Sequence, residues 1–337
     1  NLNTTGASLN EMANSNIKWE TTTVSNIGID LTMWSKFNLT AEYYQRRTDD
    51  ILLRLDIPTM LGLTAPYQNA GIVDNKGWDL SMGYKDRIGG FRYSVAVNLS
   101  DVKNKVVDMR GVLRTDRQVN NEGSPIGAFY GYVANGFFQT KEEVDGHAKQ
   151  FGNVAPGDIK YEDLNKDGVI NNLDQRVIGS PIPRYTYSTN IDLGYKGFDL
   201  SVFLQGVGKV DNYLTGHGIM PFFEGSTIQE NQKDSWRPDN TQAAFPRLAF
   251  NESNNVQTSS FWLKDASYLR VKNVQLGYNF PQALLKNKIQ RLRIYASGQN
   301  LFTIDKFWPG FDVEAPVGNA GWYPQMKVYT VGLDVRF

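Results

Sequence analysis

Apolar and polar positions alternate along much of this chain. From Tyr185 to Lys196 one face carries Tyr185, Tyr187, Thr189, Ile191, Leu193 and Tyr195, and the other carries Thr186, Ser188, Asn190, Asp192, Gly194 and Lys196. A period of two marks a strand, because successive side chains leave opposite faces of the pleat. The same alternation runs through 26–33, 78–85, 91–100, 273–280 and 329–337. Two hairpins even resemble each other, "DLSMGYK…GGFRYSV" from Asp79 and "IDLGYKGFDLSV" from Ile191. Short turns are expected near Ser35–Lys36, Asp86–Gly90, Lys196–Gly197 and Pro281–Ile289. Long connections are expected over 56–70, 109–183, 212–262 and 306–325. The reading is all-β, with about nine antiparallel strands and both chain ends on the same side of the sheet.

Alternation alone also suits a soluble β-sandwich. Three features favour a transmembrane barrel. The alternating runs are about twice the usual strand length of soluble domains. The apolar face carries Trp34, Phe37, Tyr84, Phe91, Tyr195, Phe198, Tyr278 and Phe280 beside the short turns, where an amphipathic ring suits a membrane interface. The polar face carries Asp30, Glu42, Lys85, Arg92, Asp192 and Arg336, charges that a dry core could not hold unpaired. Short turns on one side and long loops on the other complete the layout of an outer-membrane β-barrel. The loops over 109–183 and 212–262 are then expected to be extracellular.

Composition narrows the chemistry. The 337 residues hold 35 basic and 35 acidic side chains, so no basic footprint for nucleic acid exists. With no cysteine and only His147 and His217, thiol chemistry and His-rich metal sites fall away. No apolar run reaches the roughly 18–20 residues of a membrane helix, which says nothing against strands. No P-loop, dinucleotide fingerprint or G-x-S-x-G elbow is present, so no enzyme is expected. The opening residues read as an entry into the middle of a longer protein, with no initiator Met and no signal peptide.

Two features carry candidate sites. In "DLNKDGVINNLD", oxygen side chains fall at positions 1, 3, 5, 9 and 12 of a loop with Gly168 at position 6. That spacing wraps oxygens round a hard cation. Asp163, Asn165, Asp167, the carbonyl of Val169, Asn171 and Asp174 would be the Ca2+ ligands, and the ion would cross-link a long loop that otherwise has little to hold it. The alternative is an Asx-rich turn. The long loops also cluster aromatics. Phe222, Phe223, Trp236, Trp308, Phe311, Trp322 and Tyr323 are candidate substrate contacts, able to stack on sugar faces or grip peptide side chains. The same rings also suit loop packing or contact with a lid.

Several segments together resemble the SusC/RagA-like TonB-dependent transporters of the Bacteroidota outer membrane. They include "IKWETTTVSNIGIDL" at Ile17, "NAGIVDNKGWDL" at Asn69, "YGYVANGFFQTKEEVD" at Tyr130 and "PGDIKYEDLNKDGVINNLDQRVIGSPIPRYTYSTN" at Pro156. "FWLKDASYLRVKNVQLGYNFP" at Phe261, "RLRIYASGQNLFTIDKFWPGFDVEA" at Arg291 and the final "YPQMKVYTVGLDVRF" follow in family order. Val313 stands where that family usually has proline. The resemblance implies the last strands of a plugged barrel of about 22 strands, whose plug and TonB-contacting region lie outside 1–337. It also implies import of an oligomeric nutrient, glycan or peptide, powered through TonB, with a SusD-like surface lipoprotein as lid. A passive porin and a soluble calcium-binding carbohydrate-active β-protein are the alternatives.

Overall fold

The computed structural model describes residues 11–111, 113–115, 117–250, 252–285, 289–316, 318–319 and 321–337. Nine strands form one antiparallel sheet: β1 (Thr21–Met33), β2 (Phe37–Arg54), β3 (Tyr67–Ile88), β4 (Phe91–Asp108), β5 (Tyr185–Tyr195), β6 (Phe198–Gly208), β7 (Tyr268–Asn279), β8 (Arg291–Asp305) and β9 (Val328–Arg336). Each pairs with the next in sequence, so the sheet is a simple meander interrupted by long loops. The short and long connections lie where the alternation places them. The two ends of the sheet do not. An odd number of antiparallel strands must begin and finish at opposite ends, and β1 starts at the long-loop end while β9 finishes at the short-turn end.

The register carries each alternating face across strand boundaries. Val95, Ile191, Val202 and Val274 stand side by side on β4, β5, β6 and β7. Two same-face rows towards the short turns lie Phe91, Tyr195, Phe198 and Tyr278. Ring centroids of Phe91 and Tyr195 are 6.4 Å apart and those of Phe198 and Tyr278 4.6 Å, a band of aromatics along one rim. This face has no protein packed on it: Ile27 is 74% and Val331 78% exposed. The opposite face carries a polar ladder. Thr40 donates to Asp30 (2.6 Å), Asn26 to Glu42 (2.6 Å), Ser81 to Asn98 (2.7 Å) and Ser201 to Asp192 (2.7 Å).

One register shift matters later. Against β6 the pairing of β7 steps from Val271 directly to Asn273, while β8 leaves Asn300 and Leu301 unpaired at the same level. Lys272 is therefore an extra residue, a β-bulge that leaves its strand kinked.

The protein's main hydrophobic core lies not in the sheet but in the loops. Phe129, Tyr132, Ile159, Tyr161, Tyr213 and Trp262 belong to one buried cluster that spans all the longest connections. Short strands knit these connections together. Asp211–Thr215 pairs with Leu263–Asp265 and, in parallel, with Gly318–Asn319. Tyr132 exchanges backbone hydrogen bonds with Thr258 and Ser260, both 2.9 Å. Gly131 permits that approach, since a Cβ there would stand 2.3 Å from the Thr258 carbonyl oxygen.

Candidate functional site

Where the 109–183 and 212–262 segments meet, a buried network of amides fixes their geometry. Gln150 donates to the Ile159 carbonyl and to Asn254, both 2.9 Å. Asn255 accepts from the Ile159 N–H and donates to Asp158. Asp158, with no exposed surface, also accepts from Arg247 at 2.8 Å. Every member has partners inside the network, the condition under which buried polar groups rigidify rather than destabilise. The 109–183 segment was expected to have little to hold it. It is instead held by this network and by the aromatic core, whose apolar contacts supply the stability an ion was invoked to give.

Against this network lies a cavity of about 540 Å3, walled by Met220, Phe222, Phe223, Val256 and Trp262 and edged by charged side chains. Phe222 and Glu224 hold positive φ, 56° and 48°, a strained backbone that persists only where surroundings over-determine it. Phe222 packs edge-on against Phe250 and Phe223 against His217.

The other candidate aromatics scatter. Trp236 is buried and its Nε1 donates to Gln139 at 3.2 Å. Trp308 is buried in the core, stacked on Phe245 at 5.6 Å. Phe311 packs against the same core from its edge. Trp322 and Tyr323 are 58% and 81% exposed. The structure thus brings only Phe222 and Phe223 to one cavity. Arg117, Glu224, Arg247, Glu252 and Val256, which also line it, stand in segments with no motif. The doublet of strained positions gave no sequence signal because neither is glycine.

The stretch over 163–174 folds into nested turns. Asp163 accepts from the N–H groups of Lys166 (2.7 Å) and Gly168 (2.9 Å), and Gly168 takes φ +84° to make the turn. Asp167 Oδ2 receives Nδ2 of Asn165 at 2.9 Å and of Asn171 at 3.5 Å. The Val169 N–H and the Asn165 amide hold the Asp167 carboxyl below its ordinary 3.8. Side chains of positions 3, 5 and 9 therefore meet at one point. Asp174 turns away, fully buried, accepting from the N–H groups of Leu164 and Asn171. Among the described residues, no three His, Asp or Glu side chains stand together as a metal-binding group.

A third cluster escaped the sequence reading. Arg270 on β7, 3% exposed, donates to Asp312 (3.0 Å), Glu314 (2.5 Å) and Thr303 (2.9 Å). Tyr268 and Lys272 also reach Glu314. These contacts latch the 306–327 loop to the polar face of the sheet. Burial pushes the Asp312 carboxyl up, but the Glu314 N–H and the Arg270 guanidinium outweigh it and hold it below its ordinary 3.8. Val313, between the two acids, sits in the loop core, so a proline is not needed to turn them inward. Two acids one residue apart were the available signal.

The family model described as TonB dependent receptor-like, beta-barrel, matches residues 2–301. The chain belongs to that family. The family is one of transporters rather than enzymes, and its barrels lie in the outer membrane of Gram-negative bacteria. The exposed apolar face is therefore the lipid face and the polar ladder the lumen face. The chain is 32% identical to TonB-dependent receptor P3 of Formosa agariphila, over 98% of its length and 36% of the relative's. It is 27% identical to TonB-dependent receptor SusC of Bacteroides thetaiotaomicron, over 96% of its length and 32% of the relative's. Among solved structures, the RagAB peptide importer in its open-open state superposes with a TM-score of 0.81 at 21% identity, covering all of this chain and 37% of that one. This barrel portion thus spans about a third of the length of the relatives it matches.

Proposed function

We propose that the protein containing this TonB-dependent receptor barrel imports oligomeric nutrients, glycan or peptide, across the outer membrane, powered through TonB. A SusD-like lipoprotein closes over the long loops, which face outwards. One observation carries this reading: the three longest connections share a core, and two of them an inter-loop sheet. A passive porin needs only an open lumen, whereas a rigid loop platform gives a lid something to close on. The exposed rings of Trp322 and Tyr323 are the contacts offered to that lid, and Phe222 and Phe223 those offered to substrate. A soluble β-protein is disfavoured by the uncovered apolar face. The test is uptake of labelled glycans and peptides by cells with and without TonB and with and without the lipoprotein. Loss of uptake in both deletions is expected; full uptake without TonB returns the protein to the passive porins.

We further propose that the 163–174 turns hold Ca2+ as a structural ion. Asn165, Asp167 and Asn171 already converge, and rotating the two amides would present oxygens where N–H groups now point. Asp163 and the Val169 carbonyl complete the donor set. Asp174 serves the backbone instead, so the set is smaller than the spacing suggested. Hard oxygen donors suit calcium, and its contribution would be to fix the loop.

A further inference from the structure

We infer that the cavity beneath Phe222 and Phe223 is a subsite for peptide, and that it takes an apolar side chain lying next to a positively charged group. This rests on the import reading and narrows its substrate class. Three observations converge on it.

The first is the balance of free and committed groups. Met220, Phe222, Phe223, Val256 and Trp262 offer carbon to the cavity, whereas Asn255, Gln257 and Arg247 among its polar side chains are engaged within the protein. Asn255 uses its oxygen on Ile159 and its nitrogen on Asp158. Gln257 donates to the Ser253 carbonyl at 2.9 Å. Arg247 is engaged by Asp158 and Glu252. A sugar ring presents a hydroxyl at nearly every carbon, and burying hydroxyls without partners costs about 1–3 kcal/mol each on protein scales. An aliphatic or aromatic side chain has no such demand.

The second is dimension. About 540 Å3 lies within the usual range of small-ligand sites, about 300–1,000 Å3, and admits a large side chain together with its flanking backbone.

The third is charge. Glu224 lines the cavity mouth, is exposed, and makes no ion pair with any described residue. Its own backbone is held at φ 48°, so the carboxylate is presented by a turn that packs its neighbour Phe223 into the wall. An ammonium or guanidinium beside the apolar side chain satisfies that carboxylate.

The test uses the full-length transporter purified in detergent and three fluorescent alanine-based peptides: one with adjacent Phe and Lys, one with Ser for Phe, one with Glu for Lys. A neutral oligosaccharide serves as competitor. The Phe–Lys peptide is expected to bind about tenfold tighter than either other peptide, the scale of one buried side chain or one ion pair. Val256→Asp should abolish the preference for Phe, and Glu224→Lys should reverse that for Lys over Glu. A heat-modifiable gel shift confirms that each variant is a folded barrel. Equal affinities for all three peptides, preferences unmoved by the variants, or displacement by the oligosaccharide would overturn the assignment. Binding here needs no energy source, so TonB-independent uptake in cells would sink the import reading and leave this result standing.

Discussion

The sheet and the loop layer solve the problem of burying apolar surface in opposite ways. The sheet puts Ile27, Val331 and Leu333 outwards and buries a small cluster of its own, Val73 and Val106 with Met109. Its stability requires a hydrocarbon solvent on one face. The loop layer brings its own core, with Phe129, Tyr161, Tyr213 and Trp262 almost wholly buried, and must then satisfy every polar group it encloses. The first strategy repeats along the chain. The second depends on residues far apart in sequence, such as Asp158 and Arg247. A mutation in the sheet should therefore be felt through lipid, and one in the loops through a lost partner.

The sharpest separation comes from Arg270, which belongs to a strand but serves a loop. Removing one member of a buried ion pair costs about 3–5 kcal/mol, so Arg270→Ala should free the 306–327 loop while the barrel keeps its heat-modifiable gel shift. Limited proteolysis mapped by mass spectrometry reads this directly; cuts spread through the barrel strands would mean that sheet and loops are not separable. Acid gives a second handle. The folded Asp312 carboxyl titrates below 3.8, so its contribution is complete above that value and is lost as pH falls through the lower folded one. Protection of this loop should hold at about pH 5 and fade below about pH 3.8.

Next in size is the lipid face. Ile191 stands between Val95 and Val202, midway along β5, and Ile191→Arg should cost about 2–4 kcal/mol of folding stability in bilayers. Asn190→Arg on the lumen face should cost far less. Urea titration in lipid vesicles decides it, and equal costs at the two positions would reverse the assignment of faces.

The smallest effect concerns the 163–174 turns. Asp174→Ala strands the N–H groups of Leu164 and Asn171, at about 1–3 kcal/mol for the lost acceptor. Chelation of Ca2+ should expose the same stretch to protease, with no new cuts beyond 109–183. A digest unchanged by chelator leaves the stretch as self-sufficient Asx turns.

The sheet was legible because its physics is local and periodic. Alternation in 78–85 and 185–196 marks a strand wherever that strand goes, and the turns fall where alternation stops. The loop layer was legible only in composition. Phe222 and Trp308 carry the same aromatic signal, yet one lines a cavity and the other is stacked on Phe245 in the loop core. Which occurs depends on contacts made across the fold, and nothing in either neighbourhood encodes it. The spacing at 163–174 pointed to a cation loop with an Asx-rich turn as the alternative, and it could not show that Asp174 would be claimed by backbone N–H groups. The Arg270 latch was hidden for a different reason: its acids lie in a stretch with no period at all.

Lys272 gives β7 a phase shift of one residue. Below it Val274, Leu276 and Tyr278 face lipid at even positions; above it Leu269 and Val271 pair with lipid-facing neighbours at odd ones. That inversion alone points Tyr268 and Arg270 at the lumen. Pairing Lys272 as an ordinary strand residue would remove the bulge, swing both side chains into hydrocarbon and turn Leu269 and Val271 to the pore. A strand with an unbroken register would thus be a strand that had lost its grip on the loop above it.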